Sequence, residues 1–269
     1  MNNTQNIRHP DSSNLNRSET VMSAKEFKNL KLFFRLIKSN FNDFHLVDGA
    51  FRAYSNDQSC IVETGFSFFR GMHFNIPDIK QCLKSISTLD KKTDITVKAD
   101  ISSFKIADQV GDLSFSNPSS EVMDNKFIPY KDIAEIVLRK IQLCRLIVND
   151  AISKNHIYRL KMAAQKLGAK HICLKHDKSD LCKGELVILG KSKDSPVFGH
   201  KLKRPLLSPI KENHYFNLEI LPALFNRDDM YLKCYYTTEK DTLMAIYSTR
   251  IDDLFVNIYS QSGLSKESE

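Results

Sequence analysis

The segment His73-Phe74-Asn75-Ile76-Pro77-Asp78-Ile79-Lys80-Gln81-Cys82-Leu83 returns later in the chain as Tyr215-Phe216-Asn217-Leu218-Glu219-Ile220-Leu221-Pro222-Ala223-Leu224-Phe225. Each copy runs from an aromatic strand into an apolar turn of helix. Alternating residues suited to hairpins follow both, from Asp94 to Phe115 and from Met230 to Tyr259. A basic amphipathic helix precedes each, Ala24 to Phe41 and Ser153 to Leu167, and leads into strands. The order helix, strands, helix, strands therefore occurs twice and predicts one structural unit built in duplicate.

A chain of 269 residues is long enough for two domains, each burying its own core without a metal or disulfide. Its six cysteines, Cys60, Cys82, Cys144, Cys173, Cys182 and Cys234, stand singly with no C-x-x-C pair, as buried free thiols of a reducing compartment do. Residues 1–22 are rich in Asn, Ser and Thr and hold no apolar run, so they read as a disordered tail and not a secretory signal. No stretch approaches the ~20 apolar residues of a membrane helix. A cytoplasmic protein is expected.

The formal charge of +7 and a pI near 9.0 point to a polyanionic partner. At about 100° per residue, Phe27, Leu30, Phe34, Ile37 and Phe41 form one stripe of the first helix, with Lys28, Lys31, Arg35 and Lys38 beside it. On the second helix Ile157, Leu160, Ala163, Ala164 and Leu167 form the apolar stripe; Lys154, Arg159, Lys161 and Lys166 occupy the rest. Glu26 is the sole acid in the first helix and the second has none. A solvated helix ordinarily mixes both signs in i,i+4 pairs, so these one-sign faces suit phosphate contacts without sequence readout.

Signatures of nucleotide-binding loops, nucleophile elbows and zinc proteases are missing from the sequence. His171, Cys173, His176 and Cys182 have zinc-ligand chemistry, but a strand over Ala169 to Lys175 would turn His171 and His176 to opposite faces. The pairs Asp228-Asp229 and Asp252-Asp253 offer carboxylates for Mg²⁺ in a nuclease, yet each sits at a strand boundary where acids start turns, with no third acid placed to complete a site. Ser153 and His156 read as an N-cap and a surface imidazole.

The run Ile101-Ser102-Ser103-Phe104-Lys105-Ile106-Ala107-Asp108, the strand through Phe115, and Asn117-Pro118-Ser119-Ser120 with Asn125-Lys126-Phe127-Ile128-Pro129 carry a resemblance. So do Tyr215-Phe216-Asn217-Leu218 and Tyr231-Leu232-Lys233-Cys234. Over roughly Ala24 to Gln261 the chain resembles the DNA sliding clamps. It is most similar to those of T4-like phages and more distantly resembles proliferating cell nuclear antigen.

The resemblance implies an α+β fold of two repeated clamp domains, each with antiparallel sheets outside and two helices inside. The domains would span 23–116 and 132–262, with a connector over 117–131 and tails at 1–22 and 263–269. It implies a homotrimeric ring around duplex DNA, tethering a DNA polymerase and opened by a clamp-loader ATPase, with no catalytic activity and no cofactor. The compartment would be the cytoplasm, the host's if the chain is phage-encoded. Lys28, Lys31, Arg35, Lys38, Lys154, Arg159, Lys161 and Lys166 would line the lumen, joined by Lys80, Lys84 and Arg227. Val122, Met123, Phe127, Ile128 and Pro129 of the connector would border the pocket for partner peptides. Edge strands over Val110 to Ser116 and Ser195 to Lys203 would close the ring through Leu113, Phe115, Val197 and Phe198.

Two departures stand out: members of the family are usually acidic overall, whereas this chain is basic, and the Asn- and Ser-rich tail is unexpected. The excess charge keeps a second arrangement open, a monomeric clamp-fold processivity factor holding DNA on one basic face. A metal-dependent nuclease is the third.

Overall fold

The computed structural model describes residues 19–47, 49–55, 60–90, 92–100, 103–116, 143–169, 171–177, 180–188, 198–210, 213–217, 229–237, 242–251 and 254–262. The chain opens with β1 (Glu19–Met22) and α1 (Ala24–Ile37), then β2 (Phe44–Val47), β3 (Ala50–Tyr54), β4 (Cys60–Gly65), β5 (His73–Ile76) and α2 (Ile79–Ile86). The hairpin strands β6 (Ile95–Ala99), β7 (Ser103–Ala107) and β8 (Asp112–Ser116) complete the first unit. In the second come β9 (Arg145–Ile152), α3 (Lys154–Leu167), β10 (His171–Asp177), β11 (Asp180–Ile188), β12 (Phe198–Lys201) and β13 (His214–Asn217). Three long strands end it: β14 (Met230–Thr237), β15 (Thr242–Ile251) and β16 (Leu254–Gln261).

The helix boundaries follow from local chemistry. Ser23 caps α1 in a capping box with Glu26: its Oγ accepts from the Glu26 N–H, and the Glu26 carboxylate accepts from the Ser23 N–H at 2.8 Å. Asp78 caps α2 through the Gln81 N–H at 2.9 Å, where Pro77 has ended the strand. Gly168 ends α3 in the left-handed region at φ 60°.

The sheets repeat as the sequence does. One sheet has the order β1-β6-β7-β8, and β9-β14-β15-β16 reproduces it in the second unit. Likewise β5-β2-β3-β4 is reproduced by β13-β10-β11-β12. All pairings are antiparallel. The units fuse where β16 pairs with β4, Ile258 opposite Val62, giving an eight-stranded sheet from β5 to β9. Thr64 Oγ1 donates across this seam to the Phe255 carbonyl at 2.9 Å.

The first unit's core is built of phenylalanine. Phe51 packs edge-on against Phe66 at 5.0 Å and contacts Phe34, Phe44, Phe69 and Phe74. A stack then runs from Phe74 through Phe104 to Phe115, 4.7 Å at each step.

Residues 19–22, expected within a tail over 1–22, form a strand instead. Glu19–Met22 pair with β6 in the register Met22 opposite Ile95, and Met22 is fully buried, because four alternating residues suffice for a strand once a partner edge is present. The strand expected from Ala169 to Lys175 forms at His171–Asp177. The connector with Val122, Met123, Phe127, Ile128 and Pro129 lies outside the described residues, as do Val197, Arg227, Asp228, Asp252 and Asp253.

Candidate nucleic-acid interface

Helix α1 lays Phe27, Leu30, Phe33, Phe34 and Ile37 into the core. The opposite face exposes Lys25, Lys28, Arg35 and Lys38. Lys31 departs from the sequence reading: it is only 4% exposed, and its Nζ sits over the Phe27 ring, 4.2 Å from the centroid. Its helical position borders the apolar stripe, so its stem is covered and its cation lies against a ring face and not in solvent. Lys31 is therefore no part of an exposed cationic row. Lys80 and Lys84 are exposed one turn apart on α2, beside the α1 cations.

On α3 the buried residues are Ile157, Leu160 and Ala164, with Ala163 and Leu167 packed against the core. Lys154, Arg159 and Lys166 are exposed and Lys161 is half-buried. At about 100° per residue these cations form two rails, Lys154 with Lys161 and Arg159 with Lys166. Tyr158, 54% exposed, lies between the rails with Met162 and Gln165. Helical spacing places these four cations off the apolar stripe, whereas the polar and aromatic strip between them carries no charge pattern to mark it.

The start of α3 is held by side chains. Asp229 Oδ1 accepts the Lys154 N–H at 2.9 Å, so the described half of the pair Asp228-Asp229 fastens a helix end. Ser153 occupies the N-cap position, but its Oγ bonds His156 Nδ1 at 2.7 Å. His156 is not a surface imidazole: it is half-buried, its ring tilted by 37° against that of His200 of β12 with centroids 4.5 Å apart. Burial, with His156 next in weight, lowers the pKa of His200 from its ordinary value. No sequence signal linked these two histidines; the contact exists because β12 packs against α3.

Of the supposed zinc ligands, Cys173 is buried with its thiol pushed up to about 11 by desolvation, while His171 and Cys182 are exposed. Among the described residues no three His, Cys, Asp or Glu side chains cluster to hold a metal.

The strands expected to close a ring are both sheet edges. Along β8 the side chains of Leu113 and Phe115 turn partly inward, Phe115 stacking on Phe104, and Asp112, Ser114 and Ser116 face out. Along β12 His200 is buried and Gly199 and Lys201 are exposed, with Phe198 half-buried. The backbone of each strand is unpaired on its outer side among the described residues.

No family model matches the chain, and no curated protein sequence matches it. Solved structures do. The PCNA2–PCNA3 complex of Sulfolobus tokodaii is similar with a TM-score of 0.57 at 10% identity, covering 91% of this chain and 98% of that one. The PCNA of A. fulgidus, solved with the C-terminal region of FEN-1, gives 0.56 at 12% over 93% of this chain and 100% of that one. A putative DNA polymerase III beta subunit of Eubacterium rectale gives 0.60 at 12%, covering 93% of this chain and 65% of that longer one. At such identities the likeness establishes architecture: this chain has the two-domain α+β fold of the DNA sliding clamps.

Proposed function

We propose that the chain is a sliding clamp, three copies closing head to tail around duplex DNA to tether a polymerase, without catalytic activity of its own. The observation that carries this reading is which edges the fold leaves open. β8 is the counterpart of β16, and β12 is the counterpart of β4, the two strands that fuse the units. A second copy meeting the first through β8 and β12 would repeat a junction the chain already makes with itself, and the same step taken again closes a ring.

The register can be carried over. Phe74 and Phe216 match in the sequence repeat, so through the strand pairings Leu46 matches Ile172, Phe51 matches Ile188, and Thr64 matches Phe198. Met22 and Ile152 match as the residues before the capping serines, which makes Leu113 the counterpart of Ile258. Gly111 accordingly matches Val256, and the seam pair Val256 with Thr64 becomes Gly111 with Phe198 between copies.

Gly111→Cys combined with Phe198→Cys tests this directly, since directly opposed residues of paired strands lie within disulfide reach. Mild oxidation should give a covalent ladder ending at three chains, while either single substitution, which retains exposed Cys182, should not. Light scattering of the native protein should give the mass of three chains. A monomer at every concentration, or no ladder, overturns the ring and favours the monomeric factor on one basic face.

The exposed cations Lys28, Arg35, Lys38, Lys80, Lys84, Lys154, Arg159 and Lys166, with Lys161 at their margin, would supply register-free attraction to phosphates. Val122, Met123, Phe127, Ile128 and Pro129 would receive the polymerase and the loader.

A further inference from the structure

The positive charge is not confined to helix faces. The chain leaving β12 reads Lys201-Leu202-Lys203-Arg204-Pro205, and its three basic side chains are exposed. This turn is fastened at four points. The Leu202 N–H donates to the Gly184 carbonyl at 2.9 Å and the Lys203 N–H to Asp150 Oδ2 at 2.6 Å. The Leu206 N–H donates to Cys182 at 2.7 Å and the Leu207 N–H to Ile147 at 2.9 Å. Cations on such a turn need little ordering when they bind.

Their surroundings leave the charge unanswered. Asp150 is buried and already accepts two backbone N–H groups, those of Ala151 and Lys203. Glu185 pairs with Lys175 at 3.6 Å. Neither Lys203 nor Arg204 has an ion-pair partner among the described residues; Arg204 reaches only the Asn149 carbonyl, at 3.5 Å. The turn also adjoins α3. Its strand packs His200 against His156 in the helix's first turn, and Asp150, which holds Lys203, lies just ahead of Lys154 in the chain.

We propose that Lys203 and Arg204 form a phosphate-binding site beyond the N-terminal end of α3, gripping the backbone of duplex DNA where it leaves the helix cations. This rests on the DNA-encircling function proposed above. It accounts for part of the net positive charge that the helix faces leave unexplained. A duplex fits better than an acidic protein segment because the site extends the two cationic rails of α3, and a regular backbone can follow both.

The test uses the full chain, a short labelled duplex and fluorescence anisotropy from about 50 to 200 mM salt. Lys203→Gln with Arg204→Gln should make the plot of log affinity against log salt shallower by about 1.8 for each protomer engaged, at about 0.9 per lost phosphate contact. Arg35→Gln with Lys166→Gln on the helices is the reference. If the reference variant becomes shallower and the turn variant does not, the site is refuted and the proposed function stands. If neither changes, the DNA reading itself falls. Loss of binding to an acidic peptide with DNA binding intact also overturns the proposal. Lys203→Gln alone, which removes no side-chain hydrogen bond, keeps the test valid should the double variant fold poorly.

Discussion

Lys31 and Arg35 sit one turn apart on α1 and read alike in sequence, so they make the sharpest test of which cations meet DNA. Arg35 is exposed, and each phosphate contact it makes should add about 0.9 to the salt slope, a factor of about 3.5 in affinity across a fourfold rise in salt. Three protomers engaging together would multiply that to about fortyfold. Lys31 lies over Phe27, 4.2 Å from the ring centroid, and is 4% exposed. Lys31→Ala forfeits up to about 2 kcal/mol of cation–π attraction and about 0.8 kcal/mol for each of three buried methylenes. Relief from burying an ammonium offsets part of this, leaving a loss of about 2 kcal/mol in stability. Arg35→Gln should therefore flatten the salt slope with its melting temperature unchanged, and Lys31→Ala should do the reverse. Anisotropy against salt and thermal melting on the same preparations decide it. A Lys31→Ala protein with native melting and a flattened slope would refute the buried placement.

Acid should weaken the fold before any carboxylate titrates. The pKa values of His45 and His200 are both lowered, chiefly by burial, so the unfolded chain takes up protons that the folded chain refuses. Stability is complete above about pH 6.5 and falls as pH drops below it, by up to about 1.4 kcal/mol per pH unit for each histidine. The groups facing His200 are His156, Asp150, Lys203 and Glu185, and the two acids only partly oppose the effect. His200→Gln should flatten the melting temperature between pH 7 and 5.5, and an unchanged profile would exclude His200 as the cause. Gly49 holds φ at +80°, and a Cβ there would meet the Phe66 carbonyl at 2.9 Å. Gly49→Ala should cost about 1–3 kcal/mol by chemical denaturation, and a cost below 0.5 kcal/mol would show that the β2–β3 turn relaxes freely.

Much of this architecture is legible from residues alone because it is periodic and repeated. The apolar spacing of α1 and α3 fixed both helices, and Ser23 with Glu26 marks one start to the residue. What escapes a sequence reading is whatever a second element decides. Lys31 falls between a buried and an exposed sector, and only the packing around it in the fold settles that it is buried over Phe27. His156 meets a histidine far along the chain, a contact that no spacing announces. Glu19–Met22 is too short to stand out as a strand until β6 supplies its partner. The basic turn at Lys203 looks like an ordinary loop until its four backbone anchors show that it is held.

The two units keep one topology with different cores, and that difference bears on how a ring would be built. The first unit fills its interior with Phe33, Phe34, Phe44, Phe51, Phe66, Phe69 and Phe74, whereas the interior of the second is largely aliphatic, with Ile157, Leu160, Ile172, Leu174, Leu186 and Ile188. Side-chain identity has been free to drift inside the units because volume and polarity are enough to fill a core. Strand order and edge position match throughout, since they decide which backbone groups stay unpaired. At the internal seam Ile258 faces Val62, an apolar pair that is never exposed. Between copies the seam pair Val256 with Thr64 would become Gly111 with Phe198, and where Val256 and Thr64 are both buried, Gly111 is exposed and Phe198 half-buried. A permanent junction can stay wholly buried, but one that parted for DNA to enter would have to carry side chains that tolerate water when open. The glycine falls on the seam that would part, and the buried pairs stay on the seam that cannot.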